Sequence, residues 1–244
     1  MAPTAFLELV RSSAPTLRHV FVGANWRFGR HARGDLRLLA RWFRSRSIAV
    51  TAVPPVRWRG RPVSSTRIRK AIAAGDLAAA TAMLGRPYAL SAIVVRGRGV
   101  GRQLGYPTAN FQPDNAVRPP YGVYAVRALC GGRLRDGILY HGRRPTFGRG
   151  HGPVFELHLF DWQARLYGRR VEVFLISRLR GDRRFAGPRA LAAQIARDVL
   201  RARRDLQTAT ARSVCKNALQ VAGRTRIVTG KTRKERKRKQ GYGA

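Results

Sequence analysis

The chain has 244 residues, with 49 Lys and Arg against 12 Asp and Glu, a formal net charge of +37. With 44% apolar and 9% aromatic residues it is long enough for one or two globular domains with a real core. No apolar run reaches the roughly 18 residues of a membrane span, the first residues lack a signal-peptide pattern, and the distant Cys130 and Cys215 argue against a disulfide framework or a cysteine zinc site. The expectation is a protein of the reducing cytoplasm with no membrane partner.

The charge invites a nucleic-acid reading, because a basic surface collects phosphates. Its distribution divides the chain. Residues 1–204 carry 37 Arg, one Lys (Lys70) and 10 acids, whereas residues 205–244 carry 6 Arg, 5 Lys and 2 acids. The one-sided Arg usage of the body is equally the mark of a GC-rich genome.

In chain order, Leu17 to Gly23 reads as a buried strand stopped by glycine. Asp35 caps a helix whose Leu36, Leu38, Leu39, Trp42 and Phe43 recur near helical spacing, and Ser47 to Val53 reads as a second strand ended by Pro54-Pro55. Strand, helix, strand implies parallel pairing. Residues 64–87 read as two short helices. Ser64, Ser65 or Thr66 caps the first and Gly75 ends it; Asp76 caps the second and Gly85 closes it. Ile72, Leu77, Met83 and Leu84 are the expected buried positions. From Leu90 the pattern changes to short apolar runs, Leu90–Val95, Tyr121–Leu129, Leu134–Tyr140, Val154–Phe160 and Val171–Ile176, divided by Gly, Pro and Asp. This spacing predicts an antiparallel barrel or sandwich. After Pro188 one helix shows Leu191, Ile195 and Val199 on a single face that could cover the barrel. Residues 205–244 show weak periodicity and end in a Lys/Arg run, the pattern of a disordered tail.

Three features carry chemistry. The segment Val94 to Phe111, VVRGRGVGRQLGYPTANF, runs from a strand into a loop holding Gly97, Gly99, Gly101 and Gly105. Glycines let backbone N–H groups approach an anion closely. The loop matches neither G-x-x-x-x-G-K-[ST] nor G-x-G-x-x-G, and a plain glycine-rich hairpin has the same composition. Beyond it, Thr108 and Asn110 lie two residues apart on an extended segment and share a side. Both offer hard oxygens suited to Mg²⁺ on phosphate, with Pro107 fixing the entry; Pro, Thr and Asn also favour ordinary turns. In Val154 to Phe160, Phe155, Leu157 and Leu159 share one strand face, leaving Glu156 and His158 on the other. A carboxylate so placed could accept a proton from an attacking hydroxyl, although exposed strand carboxylates are common. His151, Glu156 and His158 lack the helical H-E-x-x-H spacing of a metal site, and His141 is isolated along the chain.

Six motifs in order then bring a family into view. Leu104 to Asn110 matches L-G-[FY]-P-T-A-N, Gly122-Val123-Tyr124 matches G-V-Y, and Gly142 to Phe147 matches G-x-R-P-T-F. Glu156 to Asp161 matches E-x-H-L-[FL]-D, Leu166-Tyr167-Gly168 matches L-Y-G, and Leu179-Arg180 matches the later L-R segment, followed by Phe185, Gln194, Ile195 and Asp198. Residues 89–204 thus resemble the riboflavin kinase domain of the bacterial bifunctional riboflavin kinase/FAD synthetase. Upstream, Val22 to Gly29 is similar to V-G-x-D-F-R-F-G of that family's adenylyltransferase half, and Val63 to Arg69 to its [IV]-S-S-T-x-I-R.

The resemblance implies an α+β fold: a Greek-key antiparallel β-barrel (riboflavin kinase-like) preceded by a partial α/β Rossmann-like nucleotidyltransferase remnant. The implied domains are 1–87 and 88–204, and the composition adds the basic tail 205–244. It implies ATP:riboflavin phosphotransfer yielding FMN. Thr108 and Asn110 would hold Mg²⁺ and the ATP phosphates, Gly97, Gly99, Gly101, Gly105 and Pro107 would wrap the nucleotide, and Glu156 would be the general base. Arg180 would lie in the flap over the flavin. Lys70, the one lysine of the body, falls outside the kinase domain, so phosphate charge must be met by Mg²⁺, backbone amides and Arg. The adenylyltransferase half carries an H-x-G-H signature that occurs nowhere in these 244 residues. Ser64, Ser65, Thr66, Arg67 and Arg69 are then a vestigial phosphate-binding helix start, FMN adenylylation is expected to be lost, and a partner chain could supply the missing half. Two other classes compete: a basic nucleic-acid-binding protein on a decayed flavin scaffold, binding weakly and nonspecifically through its tail, and an inactive fragment whose reading frame changes near residue 205.

Overall fold

The computed structural model describes residues 1–97, 99–143, 153–162 and 165–207. It divides into two compact units at Ser65/Thr66. In the first, α1 (Pro3–Ser13) is followed by β1 (His19–Gly23), α2 (Leu36–Arg44), β2 (Ala49–Val53) and a minimal hairpin of β3 (Arg57–Trp58) and β4 (Arg61–Pro62). β1 and β2 pair in parallel from His19↔Ala49 to Gly23↔Val53, as the strand–helix–strand order predicts. The Asp35 carboxylate caps α2 by accepting from the Leu38 N–H at 2.9 Å. Leu7, Phe28, Leu39, Phe43 and Ile48 form the core of this unit.

Helix α1 is absent from the sequence reading. Its apolar positions, Phe6, Leu7 and Val10, make too short a stripe to declare a helix. Pro3 in its first turn has the preset φ that such a position favours, and Leu7 is fully buried.

The second unit opens, from Thr66, within α3 (Ser65–Ala74), which is followed by α4 (Leu77–Leu84) after Gly75 at φ +79°. Asp76 caps α4 through the Ala79 N–H at 2.9 Å, and Gly85 ends it at φ +70°. Ile72 and Leu77 are buried as expected. Met83 and Leu84 are only half-buried, and Ala79 and Ala80 take the inner positions instead, because these small side chains let the helix pack closely.

Six strands then close a barrel in the order β10–β5–β6–β9–β8–β7. They are β5 (Ala89–Val95), β6 (Ala109–Phe111), β7 (Gly122–Cys130), β8 (Arg133–Arg143), β9 (Pro153–Leu159) and β10 (Arg170–Gly181), and every pairing is antiparallel. β7, β8 and β9 form a meander, and β10 returns beside β7, which is the Greek-key order. The interior holds Leu90, Val94, Phe111, Tyr124, Val126, Leu139, Phe155, Leu157, Val173 and Leu175 among others. α6 (Pro188–Gln207) lies on the outer surface, where Ala202 and Leu206 are buried against Val123, Ala125, Ile138, Phe160 and Leu179, with Ile195 and Val199 alongside. Arg127 ties the helix end down, its guanidinium reaching both Asp136 at 3.0 Å and the Leu206 carbonyl at 2.5 Å. No described helix is long and apolar enough to cross a membrane. The tail from 208, with Cys215, and the segment holding Arg144, Pro145, Thr146, Phe147 and His151 lie outside the described residues.

Candidate active site

The site is built on the outer face of β6, β9 and β8. Alternation along β9 turns Phe155, Leu157 and Leu159 into the barrel and leaves Glu156 half-buried on the outside. Register then fixes its neighbours. Glu156 pairs with Asn110 of β6 on one side and with Tyr140 of β8 on the other, so these three side chains form a row across the strands. Directly behind it, Phe111, Phe155 and His141 form the matching inner row. Phe111 and Phe155 stack with centroids 5.5 Å apart, and His141 and Phe155 at 4.0 Å. This buried aromatic stack braces the strands that carry the polar row.

The glycine loop lies against the Asn110 end. Within it, α5 (Val100–Gln103) is a single turn that the sequence reading leaves as loop. Gly99 and Gly105 have φ of +75° and +82°, a left-handed backbone that side chains disfavour. Gly97 and Gly101 are required for space. A Cβ on Gly97 would overlap the Asn110 amide, and one on Gly101 would overlap the Tyr106 carbonyl and come within 3.1 Å of Thr108 Oγ1. The loop backbone therefore rests on the side chains of Thr108 and Asn110.

His158, on the same outer face as Glu156, fixes the Pro107 segment. Its Nδ1 donates to the Pro107 carbonyl at 2.9 Å, and its ring stands edge-on to Tyr106 with centroids 5.5 Å apart. A carbonyl only accepts, so Nδ1 carries the proton. This strut is a role that residue type alone did not disclose.

At the Tyr140 end stand the last residues of β10 and the segment after it. Arg180 Nε donates to both Asp198 oxygens at 2.9 and 3.2 Å, and its guanidinium lies 5.4 Å from the Phe185 ring centroid. Asp198, 4% exposed on α6, also accepts from Gln194 Nε2 at 2.7 Å. Tyr140 donates its hydroxyl proton toward Asp182 Oδ1 at 3.2 Å, with the Arg143 carbonyl farther at 3.5 Å. Burial, then Asp182 and Glu156, raise the Tyr140 phenol well above its ordinary value against the opposing Arg180, so it stays protonated. His141, 2% exposed, is lowered chiefly by burial. Neither of its nitrogens has a partner in hydrogen-bond geometry, although the Pro119 and Pro120 carbonyls and Asp182 favour its charged form and Arg118 opposes it.

Ser65 opens α3, with Thr66, Arg67 and Arg69 in its first turns and Ser64 just before it. Ser64, Ser65, Thr66 and Arg69 are exposed. Among the described residues no group of three or more His, Cys, Asp or Glu could hold a metal ion. Thr108 and Asn110 are two neutral oxygen donors beside a backbone cradle, which suits Mg²⁺ arriving on a nucleotide and keeping its waters rather than a resident ion.

A closed six-stranded Greek-key barrel with one outer helix, and a polar row beside a glycine loop, define a small barrel domain with a candidate site on its outer face. Residues 84–206 match the model of the riboflavin kinase family, and residues 1–67 match that of FAD synthetase. The chain belongs to the riboflavin kinase family. The bifunctional riboflavin kinase/FMN adenylyltransferase of Escherichia coli K12 is 39% identical over 188 residues, covering 77% of this chain and 60% of its own. That of Bacillus subtilis is 32% identical over 75% of this chain and 58% of its own. A solved structure described as a macrolide-efflux protein from Streptococcus pneumoniae aligns with a TM-score of 0.65 and 32% identity, over 74% of this chain and 58% of that one. The chain thus spans about 60% of the length of the curated relatives it matches.

Proposed function

We propose that the chain transfers the γ-phosphoryl group of Mg-ATP to the 5′-hydroxyl of riboflavin, making FMN. The observation that carries this reading is the row Asn110–Glu156–Tyr140, with the glycine loop at one end and the Arg180–Asp182 segment at the other. In this reading Gly97, Gly99, Gly101, Gly105 and Pro107 wrap the triphosphate with backbone groups, and Thr108 and Asn110 hold its Mg²⁺ and phosphate oxygens. Glu156, between donor and acceptor, takes the proton from the attacking hydroxyl. Arg180, oriented by Asp198 and Phe185, borders the flavin. The reaction belongs in the cytoplasm, where ATP is supplied and a buried free thiol such as Cys130 stays reduced. The α3 start at Ser64, Ser65, Thr66, Arg67 and Arg69 is read as the counterpart of the family's phosphate-binding helix start, standing in these 244 residues without an H-x-G-H to work with. Incubation of the purified chain with Mg-ATP and riboflavin, resolved by chromatography, is expected to yield FMN and no FAD. Folded protein that yields no FMN overturns the kinase reading; FAD formation by this chain alone overturns the second part.

A further inference from the structure

The row across β6, β9 and β8 gives the site a direction. The Asn110 flank of Glu156 is taken by the glycine loop, which rests on Asn110 and Thr108. An alcohol that meets Glu156 opposite a nucleotide in that loop must therefore arrive over the Tyr140 flank. Tyr140 is half-buried there, packed against the outer cluster that also holds Ala202 and Leu206 of α6. Its hydroxyl is directed by its surroundings. A Cβ on Gly142 would collide with that hydroxyl, so the phenol lies over a backbone with no side chain of its own. The proton goes to Asp182, which stands just after β10 and one residue beyond the Gly181 partner of Gly122. The strand pair carrying Glu156 is thereby linked to the segment carrying Arg180 by one side-chain bond.

We infer that Tyr140 is the acceptor-side positioning residue of this site, its ring forming the wall on which the flavin alcohol settles and its bond to Asp182 holding the post-β10 segment beside Glu156. This rests on the kinase reading above and deepens it. The ring supplies apolar contact and the hydroxyl supplies registration, so the two parts separate by substitution. Tyr140→Phe keeps the wall and drops the bond, and is expected to raise KM for riboflavin about fivefold, with KM for ATP and kcat changed less than about twofold. Tyr140→Ala drops both and raises it about a hundredfold. Asp182→Ala behaves as Tyr140→Phe, the double variant Tyr140→Phe/Asp182→Ala is no worse than either alone, and Asp182→Asn, which retains an acceptor oxygen, restores near wild-type values. Steady-state kinetics of the full chain with both substrates varied reads all of these. Should Tyr140→Ala not fold, Tyr140→Phe and the two Asp182 variants decide. Unchanged KM for riboflavin in Tyr140→Phe, an equal rise in KM for ATP, or additive effects in the double variant would each overturn the inference while leaving the kinase reading intact. A wild-type chain that makes no FMN overturns both.

Discussion

Glu156 sits between two polar neighbours on a strand whose other face is buried, so its carboxylate is held in place by packing behind it rather than by a long flexible stem. Replacing it with Gln keeps the shape and removes the basicity. We expect turnover of Glu156→Gln to fall by about a hundredfold or more, with riboflavin affinity, read by quenching of flavin fluorescence, within about twofold. The face of Glu156 was legible from the alternation in Val154–Phe160. Its neighbours were not, because cross-strand register joins Asn110, Glu156 and Tyr140 across long stretches of chain. His141 shows the same limit. It looked isolated along the chain, yet it completes the aromatic stack behind the site. Its burial favours the neutral imidazole, so its folded value lies below its unfolded one. The stability this contributes is present above the ordinary histidine value of about 6.5 and is lost as pH falls below it, since the unfolded chain then binds a proton that the folded chain resists. Urea midpoints measured at pH 7.5 and pH 5.5 should drop more for the wild type than for His141→Phe. Equal drops would remove His141 as the cause.

At the scale of elements, the glycine loop, β6 and α6 do different work. The glycines were legible as a close-approach loop, but not which of them need space and which need a left-handed backbone. Gly101→Ala must displace the Tyr106 carbonyl or move off Thr108, and is expected to raise KM for ATP at least about tenfold while leaving riboflavin binding unchanged; separate titrations of the two ligands check this. The helix after Pro188 was legible from Leu191, Ile195 and Val199, of which Ile195 and Val199 pack against the outer cluster. That α6 also carries the partner of Arg180 was not, since the sequence placed Arg180 and Asp198 in neighbouring motifs without joining them. Their side chains are only 17% and 6% exposed. Arg180→Ala leaves Asp198 buried and unpaired apart from Gln194, and is expected to destabilise the second unit by about 3 kcal/mol, seen as an earlier unfolding transition. β6 spans three residues and α5 four, both too short for periodicity to register.

For the molecule as a whole, the two units rest on separate cores. The first is held by Leu7, Phe28, Leu39, Phe43 and Ile48 around a two-stranded parallel pair, and the second by the barrel interior and the outer cluster under α6. Leu139, fully buried between β7 and β9 positions, lies on the opposite face of β8 from Tyr140. Leu139→Ala should therefore cost about 2–5 kcal/mol and loosen the very strands that carry the row, lowering the denaturation midpoint of the second unit. The net charge of +37 first suggested a nucleic-acid partner. The family motifs and the barrel redirect that reading: in the kinase reading proposed above, phosphate is met by backbone, neutral oxygens and arginine, since the one lysine of residues 1–204, Lys70, lies before the barrel. The central claim, phosphoryl transfer across Glu156, is tested most directly with γ-labelled Mg-ATP and riboflavin, comparing the wild-type chain with Glu156→Gln. The account predicts that label moves into FMN with the wild type and that transfer collapses in the variant although riboflavin still binds. A folded wild-type chain that leaves all label in ATP or releases it as free phosphate, or a variant that transfers it equally fast, would contradict it.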